Sequence, residues 1–471
     1  MKFPKALILV VTVVLIFGVS SVQAYLPGEF PAKEPWTEDI VDSVASGSVG
    51  EYASIAHHPV SGRIYISYYD ATAQDLRLTY QVEKFSGNCG PDNSWYCGVV
   101  DETGDVGKYS SIDIAYVERV PPAPSYSLIG ISYFDETNGA LKYAQLKTNL
   151  KGWTYQVVDD SLDDSTITGL YTSMRFSPTF EPRIAYHKNI NDGEQFGSVN
   201  YAAYVGWGDG NCGPDNNWYC MEVDGRSNDP NYGSYTSLAL KDDGSPRIAY
   251  YDSLGHNLYF AKYIGIDKGN CGTNDSWSCT LVDDSGISVV GKFSTIEVLD
   301  SARDMVGIAY YDETNGTIRY AEQVSGGGNC TSSNFNCLNV DTIGAGIHQL
   351  GLSVAIDKQG HPIIAYLDAS NEFVATKLKI ARPALAYDQE VGNCGEIPAG
   401  AIGPVWTCSV LDDGYMDVIH EAAFVDVGIA QSGLASVAYF QWDSYNLAGQ
   451  LKVAKQHFQI SVPLIIVRSS Y

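Results

Sequence analysis

Five aspartates recur at one place in a repeated phrase: Asp70, Asp135, Asp252, Asp312 and Asp368 each end a short run such as ISYYD or IAYYD. Carboxylates collected from several loops could hold Ca2+, which takes about six to eight oxygen ligands. Two of them about 5 to 10 Å apart could also hydrolyse a glycosidic bond. The bland alternative is a turn cap, because DETNG follows at both Asp135 and Asp312 and such an Asp accepts backbone N–H groups. Two copies of the phrase depart from the rule. One reads IAYHK and places His187 and Lys188 where YD stands elsewhere; the other reads VAYFQ and runs into Trp442 and Asp443. An imidazole with an ordinary pKa near 6.5 can act as acid or base, although a lone His in one degenerate copy is also simple drift. A second set of polar residues, Ser54, Ser111, Ser173, Ser237, Thr295 and Ser353, recurs earlier in each copy, with Asp426 in the last. Their side chains could line a channel or bond between neighbouring units.

The chain contains neither GxSxG nor HExxH, and no glycine-rich phosphate loop. Its ten cysteines fall into close pairs: Cys89/Cys97, Cys212/Cys220, Cys271/Cys279, Cys330/Cys337 and Cys394/Cys408. Short CxxC knuckles of a zinc site are absent, so the pairs read as disulfides made in an oxidising compartment. The formal charge of −26 repels nucleic acid and anionic lipid and suits cations or solubility.

The elements that must position these residues are repeats. The phrase around Tyr68, Tyr133, Tyr186, Tyr250, Tyr310, Tyr366 and Tyr439 marks seven copies of one unit. Each copy holds four short runs rich in Tyr, Val and Ile, here called a, b, c and d, separated by Gly, Asn, Asp and Pro. In the fourth they are YTSLALK, PRIAYYD, NLYFAKY and WSCTLVD. Runs this short are strands rather than helices. Four antiparallel strands repeated seven times describe an all-β, seven-bladed β-propeller, with no long sheet edge left open. The seventh copy lacks its d run after c. WTEDIVD, from Trp36 to Asp42, supplies the missing strand at the other end of the chain and is expected to close the ring. The ten cysteines then clip each outermost strand d to the loop that feeds it, except in the copy with WTYQVVD and in the closing strand. Tryptophan at the start of d is expected to cover the neighbouring sheet.

Residues 1–24, with Lys2 and Lys5, an apolar run and Val22-Gln23-Ala24, read as a secretory signal peptide. Residues 25–35 read as an extended leader, 36–456 as the propeller and 457–471 as a C-terminal tail whose Val462–Val467 stretch could pack on the ring or dock to something outside it. Elsewhere the chain lacks the roughly 18 uninterrupted apolar residues that a spanning helix needs. The expectation is a protein secreted or held at the cell surface, without membrane insertion after signal cleavage.

Taken together, YxSIA, IAYYD, LxYA and WxCxxVD resemble secreted seven-bladed β-propeller repeat proteins, distantly similar to sialidase-like and lectin-like propellers. The resemblance spans Trp36 to about Lys455 and implies the fold. It implies no catalytic residue, because the sialidase Asp-box SxDxGxTW is missing. One propeller scaffold carries many functions. The reading is therefore an extracellular binding or adhesion propeller, non-enzymatic, with carbohydrate or a surface protein as partner and no nucleic acid. A glycoside hydrolase or polysaccharide lyase is the second reading, and an architectural envelope or filament component the third. His187, Lys188, the five aspartates, Asp426 and Trp442 are the candidate ligand residues, and Ca2+ is the cofactor to test.

Overall fold

The computed structural model describes residues 36–457, except 151, 161–164, 191–194, 285, 287, 346–350, 369–376, 385–390, 400, 414–423 and 444–447. The expected signal peptide and leader, and the expected tail beyond His457, lie outside the described residues.

Seven four-stranded antiparallel sheets follow one another around a ring. In the first blade, strand a is Val49–His57, b Ile64–Asp70, c Asp75–Gln81 and d Trp95–Asp101. The seventh blade is built from both ends of the chain. Its c strand, Ala448–Gln456, pairs with Trp36–Ser43, from Trp36 against Gln456 to Ser43 against Gln450. The ring is therefore closed by hydrogen bonds, and the last blade keeps its fourth strand.

Hydrophobic side chains between adjacent sheets make the core, and one polar bond recurs within it. The first Tyr of each b phrase is buried and donates its hydroxyl to the Asp of the WxCxxVD-like run on strand d of the preceding blade. The pairs are Tyr68–Asp42 at 2.6 Å, Tyr133–Asp101 at 2.6 Å, Tyr186–Asp159 at 2.7 Å and Tyr250–Asp224 at 2.6 Å. Tyr310–Asp283 at 2.6 Å, Tyr366–Asp341 at 2.7 Å and Tyr439–Asp412 at 2.7 Å complete the set. The Y of IAYYD and the D of WxCxxVD thus form one inter-blade bolt. A buried carboxylate also needs a counter-charge, and strand c supplies it in five blades, through Arg77, Lys142, Arg319, Lys379 and Lys452.

All five expected disulfides are formed: Cys89–Cys97, Cys212–Cys220, Cys271–Cys279, Cys330–Cys337 and Cys394–Cys408. The Asn of each GNC brackets the second cysteine: Asn88 Oδ1 accepts from Cys97 N at 2.7 Å while its Nδ2 donates to Cys97 O at 2.9 Å. Asn270 serves Cys279, Asn329 serves Cys337 and Asn393 serves Cys408 in the same way. An amide side chain thereby continues the sheet ladder past strand d.

The staples do more than clip strand d to its feeding loop, which is all that their spacing predicts. Each second cysteine is the third residue of strand d, where it leans on the preceding blade or on the inter-blade bolt. Cys97 Sγ lies 3.8 Å from Val41 O, Cys220 Sγ 3.9 Å from Val158 O, Cys279 Sγ 3.6 Å from Val223 O and Cys408 Sγ 3.8 Å from Val340 O. The bolt tyrosines reach two of these sulfurs, Tyr310 to Cys337 at 3.2 Å and Tyr366 to Cys408 at 3.3 Å. In the blade without cysteines Tyr155 takes the place of the second one, and its hydroxyl donates to Val100 O at 2.6 Å. The tryptophans that start strand d pack edge-on against the neighbouring c strand, Trp218 on Tyr143 at 5.5 Å and Trp277 on Tyr201 at 5.6 Å.

Candidate ligand site at the channel mouth

Each of the first five blades begins strand a with Gly-x-Tyr or Gly-x-Phe: Gly50-Glu51-Tyr52, Gly107-Lys108-Tyr109, Gly169-Leu170-Tyr171, Gly233-Ser234-Tyr235 and Gly291-Lys292-Phe293. The glycine is required. At φ +105 in Gly50 and +115 in Gly107, a Cβ would come within 2.8 Å of the backbone of Leu451 or Leu76 in the preceding blade. This close approach forces register shifts at the start of strand a, between Val49 and Glu51 and again between Glu51 and Ser54 in the first blade. The bulged chain then holds the aromatic residue in the left-handed region, with φ of 51° at Tyr52, 55° at Tyr109, 50° at Tyr171, 56° at Tyr235 and 54° at Phe293. A bulky side chain in that region is strained. Its recurrence in five blades marks a constraint shared by all of them.

The result is a collar of rings around the channel axis. Ring centroids are separated by 4.0 Å from Phe424 to Tyr52, 4.6 Å from Tyr52 to Tyr109, 4.8 Å from Tyr109 to Tyr171, 5.0 Å from Tyr171 to Tyr235 and 4.5 Å from Tyr235 to Phe293. At this spacing neighbouring rings present faces and edges to one another. In the sixth blade the equivalent residue is Gly351, so the collar has six rings and one place without a side chain. It lines a cavity of ≈ 690 Å³. Behind it, a second tier from strand b supports three of the rings edge-on, as Tyr69 does Tyr52 at 6.2 Å and His187 does Tyr171 at 6.0 Å. Burial pushes the Tyr52, Tyr109, Tyr171 and Tyr235 phenols above their ordinary pKa, so they stay neutral donors and acceptors.

Beneath the collar runs a hydroxyl tier. Ser54, Ser111, Ser173, Ser237 and Ser353 each accept the backbone N–H of the next blade's strand a, as in Met174 N to Ser111 at 3.0 Å and Leu238 N to Ser173 at 3.0 Å. Asp426 does the same across the closure, accepting from Ile55 N at 2.8 Å, and its carboxylate also receives Ser54 at 3.0 Å and Ser353 at 2.7 Å. Burial raises its pKa despite these donors. Deeper, a second cavity of ≈ 600 Å³ contains Asp113, Arg175 and Glu297.

The five aspartates that end strand b are buried and are not brought together. Each sits in its own blade. Asp70 accepts Thr72 N and Ala73 N at one oxygen and Arg77 at the other, at 2.8 Å. Asp135 and Asp312 cap Asn138 N and Asn315 N, Asp252 caps Leu254 N and Gly255 N, and Asp368 pairs with Lys379 at 2.7 Å. Oxygens engaged in this way do not fit a shared Ca2+ site. Among the described residues no group of three or more acidic, His or Cys side chains is placed to hold a metal ion. The cysteines take no part in the mouth either: Cys97, Cys220, Cys279, Cys337 and Cys408 all lie on outermost strands, and no cysteine lines either cavity.

The departures in the third blade have a structural account. Asn200 stands opposite Tyr186, where strand c of five other blades carries its cation, and Lys188 reaches Asp159 from strand b instead, at 3.4 Å. His187 is 1 % exposed. Burial lowers its pKa to about 4 against the opposing pull of the Pro230 backbone and Asp229, so it is neutral at ordinary pH. It sits behind Tyr171 rather than in the cavity wall. Trp442 lies on strand b of the seventh blade opposite Gly449. The side chain of Asp443 lies outside the described residues.

Sequence reasoning misses the collar, although its signal is present. Gly-x-aromatic-x-Ser/Thr begins strand a in five copies, and reading all the repeated tyrosines together as packing residues passes over it.

The chain matches no protein-family model and no curated protein sequence. Among solved structures it is similar to the six-bladed fucose-recognising lectin of the fungus Aleuria aurantia, at 12% identity over 77% of this chain and 95% of the lectin, with a TM-score of 0.42. It is also similar to the α-L-arabinanase of Penicillium chrysogenum, at 9% identity over 70% of this chain and 94% of that one, with a TM-score of 0.41. The α-L-arabinofuranosidase of Lactobacillus brevis gives 10% identity over 75% and 94%, with a TM-score of 0.32. Likenesses this distant carry nothing about ligand or activity.

Proposed function

We propose that this chain is an extracellular binding propeller that takes a saccharide at the axial mouth and releases it unchanged. The observation that carries the reading is the aromatic collar, five of whose six rings are held at left-handed φ by a repeated bulge. Strain of order 1 to 3 kcal/mol at each such residue persists where the surrounding structure enforces it, and it gathers at ligand sites. The collar sets the phenol hydroxyls of Tyr52, Tyr109, Tyr171 and Tyr235 among ring surfaces that include Phe293 and Phe424. A sugar likewise sets hydroxyls among C–H patches, and pockets that hold small ligands combine apolar walls with a few placed polar groups. Five disulfides and the expected signal peptide support an extracellular setting, and no helix among the described residues is long and apolar enough to cross a membrane.

The test is to incubate the chain from Tyr25 onward with a broad glycan library, with and without Ca2+, reading retention and product masses together. Retention without mass change, abolished in Tyr109→Ala and Tyr171→Ala, is the expected result. New product masses would replace the reading with a hydrolase or lyase. Retention unaffected by either substitution would move the site away from the mouth.

A further inference from the structure

The channel below the collar is charged in an uneven way. The residue two positions after the Ser/Thr tier lies on the same side of strand a; it is Asp113, Arg175 and Glu297 in three blades, and Ala or Gly in the other four. Arg175 of the third blade reaches past the small Ala239 of the fourth and donates from Nη2 to Glu297 Oε1 of the fifth at 2.7 Å, while its Nη1 donates to Met174 O at 2.9 Å. Both side chains are open to the channel, at 32% and 28% exposure. Asp113 is held by Phe176 N at 2.7 Å, and Asp426 completes a set of three carboxylates around one guanidinium.

Arg175 is the one arginine among the described residues lining the two cavities. A guanidinium is the side chain best suited to a ligand carboxylate, because its fork matches the two oxygens. Here Glu297 already occupies it. At the mouth, Lys108 is likewise tied to Asp105 and Glu136. The cavities adjoin, both touching Ser110, Thr172, Thr236 and Ser294, so a group held in the collar lies above the deeper charges, whose field the protein walls focus.

Resting on the saccharide reading above, we propose that the axial site selects uncharged sugar ends and rejects carboxylate-bearing ones, and that Glu297 determines this specificity by sequestering Arg175. Glu297 acts through Arg175 and is a specificity-determining residue rather than a direct contact. Its removal takes away the carboxylate that occupies the guanidinium fork, with Asp113 and Asp426 remaining nearby. Removing Asp113, by contrast, relieves negative charge while leaving the ion pair in place.

The experiment uses matched pairs of oligosaccharides that differ only by a terminal sialic or uronic acid, presented to the chain from Tyr25 onward. The wild-type protein is expected to retain the neutral member at least tenfold better. Glu297→Gln should raise retention of the acidic member about tenfold and change the neutral one less than twofold, and Arg175→Gln in the same chain should cancel that gain. Asp113→Asn should give a smaller gain and keeps the test available if Glu297→Gln does not fold. Equal wild-type retention of both members would overturn the selectivity while leaving the binding reading intact. A Glu297→Gln protein that folds and gains nothing would overturn the role of Glu297. Retention of neither member would overturn the saccharide reading itself, and the selectivity with it.

Discussion

The hydroxyl of Tyr310 donates at 2.6 Å to Asp283, the carboxylate that ends the outermost strand of the preceding blade. Arg319 reaches the same oxygen at 2.5 Å from strand c. One buried carboxylate therefore joins two blades and neutralises a cation. The fourth blade varies the scheme, since Tyr259 replaces the strand-c cation and a second phenol, Tyr232, donates to Asp224 at 2.7 Å beside Tyr250.

Removing a donor from a buried charged acceptor costs roughly 1.5 to 3 kcal/mol. Tyr310→Phe is expected to lose about that much in urea unfolding. Tyr250→Phe should lose at least as much, because the Asp224 oxygen then keeps only a neutral phenol, Tyr232, whereas the Asp283 oxygen keeps the Arg319 guanidinium. A clearly smaller loss from Tyr250→Phe would show that Tyr232 takes over the work.

At Tyr109, with φ 55°, glycine and alanine should differ in an unusual direction. Both remove the ring and should abolish glycan retention, but alanine keeps the left-handed penalty of roughly 1 to 2 kcal/mol that glycine escapes. Tyr109→Gly is therefore expected to melt higher than Tyr109→Ala. The reverse order would mean that the strain is not there to be relieved.

His187 makes stability depend on pH. Its folded pKa of about 4 lies below the ordinary 6.5, so the unfolded chain takes up a proton that the folded chain refuses. The stability it contributes is present above pH 6.5 and is lost as pH falls toward 4. For a fully enclosed imidazole the loss at about pH 5 is on the order of 2 kcal/mol. His187→Phe should flatten the fall between about pH 7 and pH 5 by that amount in denaturant titrations, and an unchanged slope would refute the assignment.

The staples and their substitute can be ranked. Opening the short loop closed by Cys212 and Cys220 through paired Cys→Ala changes should cost roughly 2 to 3 kcal/mol. Tyr155→Phe, which removes only the bond to Val100 O, should cost about 1 kcal/mol. Thermal melts of the two variants compare them directly, and a larger loss from Tyr155→Phe would reverse the ranking.

Much of the architecture is legible in the chain. Seven copies of IAYYD-like phrases, four short runs per copy and a stray WTEDIVD at the opposite end define the blades and the closing strand. The close Cys pairs define their own bridges, Cys271 with Cys279 and Cys330 with Cys337 among them. These features are local or periodic, and a repeat announces its unit wherever the unit recurs.

Partnerships between blades are not legible, because they join residues of different copies. Asp283 and Tyr310 stand in two separate motifs, yet only the radial order of the sheets makes each the other's partner. Lys188 reads as a candidate ligand in the sequence; the structure instead sets Asn200 opposite Tyr186 and pairs Lys188 with Asp159. The collar depends on a bulge set by how closely Gly50 or Gly107 approaches the preceding blade. The sequence determined the blade, its staples and the ring's closure through local periodicity. Only tertiary structure decided which tyrosines pack, which surround the axis and which charges meet within it, because those outcomes depend on distances between strands far apart in the chain.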